Sequence, residues 1–201
     1  MKKIKEYNIK IKQLADQIKS GKTVVYPTET CYGVGCDGRD NQAVEKIFNI
    51  KQRDKDKPLL VLMPSLDVAQ EYIRWDSETQ RLAEKYWPGP LTIVAELKKG
   101  VELPQGLTKD GTLACRVSSH GFASQLAAEL NGPLVSTSAN ISGKDSPYTV
   151  REVESMFEGR KHQPDVIVDA GKLEQTPPST IVRTIDGVEV LREGAIELDQ
   201  L

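Results

Sequence analysis

An α/β fold built on a mixed sheet is predicted by three features of the sequence. Short β-prone runs alternate with runs of helical periodicity. Pro58-Leu-Leu-Val-Leu-Met63 is apolar without alternation, as in a strand covered on both faces. Asp186-Gly187 marks a hairpin, which brings in antiparallel pairing. In order, Ile11, Leu14, Ala15 and Ile18 keep helical spacing up to Gly21, a residue suited to the position just past a helix end. Thr23 to Tyr26 reads as a strand closed by Pro27, and Gly33, Gly35 and Gly38 predict a glycine-rich turn. Asp40 is placed to cap a helix whose apolar stripe is Ala43, Val44, Ile47 and Phe48.

After the buried strand at 58–63, helices are predicted over 66–74 and 77–86, stopped by Trp87-Pro-Gly-Pro90. Strands follow at 91–97, 112–117 and 133–137, with a helix over 121–131 between the last two. Thr149 with Glu152 has the capping-box spacing for a helix to about Phe157. The tail reads as a strand at 165–169 and a hairpin of 180–185 with 188–192. Residues 98–111 and 158–164 are the loose connections, and there is no repeat or low-complexity tract.

A chain of 201 residues fits one domain spanning 1–201, and a net charge of -2 gives no global attraction to nucleic acid or anionic membrane, so any basic site must be local. Lys10, Lys12, Asp16 and Lys19 interrupt what would be the apolar part of a signal peptide, and no run reaches membrane-spanning length, which points to a cytoplasmic protein. Cys31, Cys36 and Cys115 lack zinc-type spacing, and His120 and His162 lie too far apart to suggest a cluster. Buried or idle thiols and no protein-held metal are therefore expected.

Three segments are candidates for chemistry. Pro133-Leu-Val135 gives way to Ser136, Thr137, Ser138, Asn140 and Ser142, small donors and acceptors that suit either a polar ligand at a strand end or a turn capping the next element. Lys51, Arg53, Lys55 and Lys57 cluster where the 40s helix ends. They either complement its dipole as a solvated face or face an anion near the strand end. Arg116 lies inside the apolar strand Leu113 to Val117 and needs an anionic partner, whether a structural carboxylate or a ligand. Arg192 admits a ligand-binding or an exposed-hairpin reading. No Gly-Lys-Ser/Thr loop, full dinucleotide fingerprint or nucleophile elbow is present. From residues alone, an anionic and phosphorylated ligand is the favoured class.

Tyr26-Pro-Thr-Glu-Thr30 with Tyr32-Gly33, Lys51-Gln-Arg53 with Lys57-Pro-Leu, Trp87-Pro-Gly-Pro-Leu-Thr92, Ser138-Ala-Asn-Ile-Ser-Gly143, Pro178-Ser-Thr-Ile-Val182 and Leu191-Arg-Glu-Gly194 occur in that order. Together they resemble the YrdC/TsaC family of L-threonylcarbamoyladenylate synthases, over about residues 8 to 197. The resemblance implies a twisted, mixed parallel/antiparallel sheet flanked by helices with a concave basic cavity, in the short single-domain form.

The implied enzyme is a nucleotidyltransferase. It joins L-threonine, bicarbonate or carbon dioxide, and ATP into threonylcarbamoyl-AMP and pyrophosphate, for modification of adenosine 37 of tRNA by downstream threonylcarbamoyl-transferase proteins. Mg²⁺ would arrive with ATP. By motif, Lys51 and Arg53 would be the catalytic pair on the triphosphate, Arg by forked contacts and Lys as a point charge. Ser138, Asn140, Thr112, Ser146 and Arg192 would complete the ATP side. Thr28, Thr30, Lys57, Arg116, Ser136 and Ser179 would face threonine, with Arg116 on its carboxylate. Ser118 and Thr137 stand where many members have proline. Ser136-Thr-Ser138 and Arg192-Glu-Gly194 also resemble the YciO-like branch, and the alternative function is a module that binds tRNA or double-stranded RNA without turnover.

Overall fold

Eleven strands form one sheet in the computed structural model, which describes residues 1–198. In chain order they are β1 (Lys2–Lys5), β2 (Val24–Pro27), β3 (Tyr32–Gly35), β4 (Leu60–Leu62), β5 (Leu91–Glu96), β6 (Thr108–Lys109), β7 (Thr112–Arg116), β8 (Leu134–Ser138), β9 (Val166–Asp169), β10 (Thr180–Arg183) and β11 (Glu189–Arg192). The helices are α1 (Ile11–Lys19), α2 (Asn41–Lys51), α3 (Leu66–Tyr72), α4 (Ser77–Tyr86), α5 (Gly121–Leu130) and α6 (Val150–Phe157). Across the sheet the order is β1-β9-β2-β3-β8-β4-β7-β5-β10-β11, with β6 also paired to β7. Parallel pairs (β1–β9, β9–β2, β4–β7, β5–β10) mix with antiparallel ones, β2–β3–β8–β4 being antiparallel throughout. This is the mixed sheet that the alternating signals predict.

Register across the sheet separates two faces, because alternate strand residues point to opposite sides. Val135 pairs Val61, Val61 pairs Cys115, Cys115 pairs Ile93 and Ile93 pairs Val182. That apolar row packs against Ala43, Val44, Ile47 and Phe48 of α2, Ala69 of α3, Leu82 and Ala83 of α4, and Val150, Val153 and Phe157 of α6. The other face is covered in part. Leu14, Ala15 and Ile18 of α1 and Phe122, Leu126 and Leu130 of α5 close over Val24, Tyr26, Leu62, Leu134 and Val166. One step along the same strands, Leu60 pairs Ser136, Gly33 pairs Ser138, Ala114 pairs Val94 and Thr92 pairs Ile181. These residues line a cavity instead.

Local chemistry sets the helix ends. The Asp40 carboxylate accepts from the Gln42 and Ala43 backbone N–H groups at 2.8 and 3.2 Å, and Asp76 caps α4 through Thr79 N–H at 2.8 Å. Gly21 ends α1 at φ +83°. Thr149 accepts from Glu152 N–H at 3.2 Å while Glu152 Oε2 accepts from Thr149 N–H at 2.8 Å, the predicted capping box. Thr149→Ala is expected to cost about 1 kcal/mol of stability, whereas Thr149→Ser retains it, as measured by urea unfolding.

The structure differs from the sequence reading at several places. Gly33 and Gly35 lie in β3 and not in a turn. A Cβ on Gly35 would sit 1.8 Å from the Val135 carbonyl oxygen, so glycine serves close approach of β3 and β8. β1 carries no hydropathy signal because Lys2, Lys3 and Lys5 are exposed on an edge strand, where lysine also discourages further pairing. The 98–111 connection holds a 3₁₀ turn at Gln105–Leu107 and β6, with Leu107 buried. β4 is shorter than the 58–63 run, though Leu59 N–H reaches Gly106 O at 2.8 Å and Met63 N–H reaches Arg116 O at 2.8 Å. α3 stops at Tyr72.

Candidate functional site

The uncovered half of the sheet floors a cavity of about 380 Å³. Leu60, Val94, Ala114 and Ile181 supply an apolar floor, and Thr28, Thr30, Ser136, Ser138, Ser146 and Ser179 stand around it. Among the described residues three arginines, Arg53, Arg116 and Arg192, line it, and no carboxylate does. A larger cleft of about 830 Å³ runs between α2 and residues 104–110. Among the described residues no buried side chain without a hydrogen-bond partner lines that cleft, whereas Arg116 in the smaller cavity has two such nitrogens. The smaller cavity is therefore the better candidate.

Arg116 is only 4% exposed. Its Nη1 lies 3.1 Å from Glu29 Oε1, close enough for an ion pair but not aligned for a hydrogen bond, so Nε, Nη1 and Glu29 Oε1 all stay buried without a hydrogen-bonding partner. Leaving charged donors unpaired in this way is costly in a structural pair and useful in a site that receives an anion.

The other two arginines are already engaged. Arg192 Nε and Nη2 donate to Ser179 O at 3.1 and 2.7 Å, and Nη2 also donates to Ser179 Oγ at 3.1 Å; that hydroxyl is 2.9 Å from Thr92 Oγ1. Arg53 Nε and Nη2 donate to Lys57 O at 2.9 Å and Pro58 O at 3.1 Å, which fixes the turn after α2. Burial pulls both guanidinium groups below their ordinary range, with the Arg116 charge adding to the effect at Arg192. Arginine stays cationic through such shifts.

Lys51 lies outside the cavity lining, and at 1% exposure it is one of the most deeply buried side chains. Its ammonium donates to Asn140 O at 2.9 Å, Asn140 Oδ1 at 2.8 Å and Ser138 O, and its own carbonyl accepts from Ser142 N–H at 2.8 Å. Asn140 is held further by Ser138 Oγ, which donates to Oδ1 at 2.7 Å, and by Lys144 O. Lys51 therefore ties α2 to the loop after β8 and presents Ser138 to the cavity. Burial, then the neighbouring Arg53 charge, pulls its amine down to about 7.

The 28–31 turn is similarly self-bonded. Thr28 Oγ1 donates to Cys31 O at 2.7 Å and accepts from Cys31 N–H at 3.3 Å, and Thr176 Oγ1 donates to Glu29 O at 3.0 Å.

Of the residues singled out in the sequence, Thr28, Thr30, Arg53, Arg116, Ser136, Ser138, Ser146, Ser179 and Arg192 converge on the one cavity. Lys51 and Asn140 stand just behind it. Lys57 is exposed and reaches Arg53 only through its carbonyl, so its side chain is not in the lining. Thr112 continues the Ala114–Arg116 face of β7 beyond the cavity edge, and its hydroxyl donates to Lys109 O at 2.7 Å. Tyr148 and Thr176 line the cavity without having been singled out, and no spacing in the sequence marks them. Thr92 also lines it and was within reach, since it ends the Trp87–Thr92 motif.

The three cysteines are buried free thiols, and burial pushes each above its usual range, Cys115 to about 12. Among the described residues no group of three or more His, Cys, Asp or Glu side chains could hold a metal ion, and no helix is long and apolar enough to cross a membrane.

Residues 16–194 match the Sua5/YciO/YrdC family model, described as telomere recombination. A putative threonylcarbamoyl-AMP synthase of Methanocaldococcus jannaschii is 34% identical over 189 residues, 94% of this chain and 87% of that protein. The crystal structure of Pyrococcus abyssi Sua5 complexed with L-threonine superposes with a TM-score of 0.83 at 34% identity. The alignment covers 96% of this chain but only 57% of that one. The crystal structure of E. coli YciO gives a TM-score of 0.83 at 29% identity, covering 98% of this chain and 96% of that one.

Proposed function

Since the chain belongs to the Sua5/YciO/YrdC family, we propose that it is a threonylcarbamoyl-AMP synthase. It would join L-threonine, bicarbonate or carbon dioxide, and ATP with release of pyrophosphate, and supply the product for modification of adenosine 37 of tRNA. The observation that carries this reading is Arg116, a buried guanidinium on the cavity wall whose Nε and Nη1 have no hydrogen-bonding partner. A carboxylate-bearing substrate lying side-on satisfies Nε, with Nη2 as the second prong of the fork, while Nη1 stays against Glu29, and the M. jannaschii and P. abyssi proteins bear the matching names.

In this reading Arg116 takes the threonine carboxylate, and the hydroxyls of Thr28, Thr30, Ser136 and Ser179 surround the amino-acid half. The threonine amine captures carbon dioxide as a carbamate, whose oxygen attacks the α-phosphate and expels pyrophosphate. No covalent link to the protein forms. Arg53 and Arg192 stabilise the phosphate charge, which is the electrostatic part of catalysis, and Ser138 and Ser146 border the nucleotide. Lys51 and Asn140 act by holding Ser138 in place. Mg²⁺ would accompany ATP and would supply charge neutralisation at the phosphates, beside Arg53 and Arg192. The apolar floor of Leu60, Val94, Ala114 and Ile181 limits water around the reacting groups.

Pyrophosphate release by the purified protein with ATP and Mg²⁺ tests this, with threonine and bicarbonate each omitted in turn. Release is expected only with both present, together with a threonylcarbamoyl-AMP mass. ATP binding without release overturns the synthase reading and favours the second one, an RNA-binding module of the YciO type. The chain and E. coli YciO cover each other almost completely, which keeps a YciO-type module as the second reading, and RNA affinity falling steeply with salt would identify RNA binding.

A further inference from the structure

Two arginine–carboxylate pairs in this molecule have unlike geometry. Arg39 grips Asp37 side-on, Nε to Oδ1 at 2.9 Å and Nη2 to Oδ2 at 2.8 Å, the forked arrangement of a satisfied structural pair. Arg116 is far more buried than Arg39, with side-chain exposures of 4% and 42%, while the two carboxylates are similarly covered, Glu29 at 14% and Asp37 at 10%. Arg116 and Glu29 approach through one pair of atoms at 3.1 Å without hydrogen-bond alignment. The second Glu29 oxygen is taken elsewhere, because Oε2 accepts from the Ser118 hydroxyl at 2.6 Å. That hydroxyl is itself fixed, accepting from the His120 backbone N–H at 3.2 Å. A carboxylate tethered at one oxygen cannot swing to lay both oxygens along the guanidinium.

We propose that Ser118 restrains Glu29 so that the carboxylate neutralises Arg116 without occupying its hydrogen-bonding fork, which stays available for the carboxylate of the amino-acid substrate. Ser118 and Glu29 are then positioning residues of the amino-acid half of the cavity. The arrangement balances two costs. With no counter-ion, a guanidinium this deeply buried is strongly disfavoured, and with a fully forked partner its fork is closed to a ligand. The proposal rests on the reading that Arg116 receives the threonine carboxylate.

The test is kinetic, with threonine and ATP varied separately. In Ser118→Ala the freed Glu29 closes onto Arg116, and the threonine KM is expected to rise about tenfold or more while the ATP KM stays within about twofold. Adding Glu29→Gln to Ser118→Ala is expected to bring the threonine KM back to within about threefold of the parent, because a neutral amide cannot form the competing ion pair. A supporting residue of purely structural kind predicts instead that the second substitution deepens the loss. An unchanged threonine KM in Ser118→Ala, or a double variant weaker than the single one, overturns the proposal. If Arg116→Lys leaves the threonine KM unchanged, the assignment of Arg116 itself fails. If Arg116→Lys raises it and Ser118→Ala does not, only the restraint is wrong.

Discussion

Arg116→Lys is expected to raise the threonine KM by about 10²-fold, with the ATP KM nearly unchanged. Two charge-assisted hydrogen bonds to a carboxylate contribute roughly 1.5–3 kcal/mol each, and lysine offers a point charge in place of a planar fork. Lysine is the informative replacement because it keeps a cation beside Glu29. Methionine would leave that carboxylate, 14% exposed, without its counter-ion and confuse binding with stability. Initial rates of pyrophosphate formation, or calorimetric titration with threonine, read the effect. A threonine KM within twofold of the parent would remove Arg116 from the substrate site and with it the main support for an amino-acid pocket.

Lys51→Met is expected to lower turnover by about 10²-fold and stability by about 2–4 kcal/mol. Both losses share one cause. Methionine fills most of the space but leaves Ser138 O, Asn140 O and Asn140 Oδ1 without the donor that gathers them, so the loop loosens and Ser138 is no longer held at the cavity. Denaturant unfolding and steady-state rates check the two parts.

A pH signature accompanies this second result. The amine sits at about 7 in the fold and near 10.4 in the unfolded chain, so between these values the unfolded state binds more protons and stability rises with pH. The gain due to Lys51 therefore grows from about pH 7 and levels off above about 10.5, and it should be absent from Lys51→Met. A stability profile with the same slope in both proteins over that window would place the amine at an ordinary value.

Elements with local signatures were legible in the sequence. Asp40 and the stripe Ala43, Val44, Ile47 and Phe48 predict α2, Thr149 with Glu152 predicts α6, and Asp186-Gly187 predicts the turn between β10 and β11. What stayed hidden depends on distant partners. Gly35 is explained only by the Val135 carbonyl across the β3–β8 pair, and β1 only by β9.

Lys51 is an intermediate case. Read as one of four cations at a helix end, it belonged either with a solvated face or with a group facing an anion. Helical spacing nevertheless places it four residues after Ile47 and seven after Val44, on the buried stripe, and that periodicity was the available clue to its inward-facing role. The site residues named from motifs mostly share the cavity. Lys57 and Thr112 fall outside its lining because a motif gives proximity along the chain but not the direction of a side chain. The link from Ser118 to Glu29 joins positions 89 residues apart, and no pattern in a single chain announces it.

The two-sided central strands have an engineering consequence. Val61, Ile93, Cys115, Val135 and Val182 belong to the row that holds the molecule together, while Leu60, Val94, Ala114 and Ile181, neighbours of these in sequence, shape the chamber, Leu60 also packing against the core under α1 and α5. Selectivity and robustness are thereby assigned to alternate letters of the same short words. Directed evolution restricted to Val94 and Ala114, which face each other across β5 and β7, can resize the chamber for a bulkier or slimmer ligand while leaving the scaffold intact.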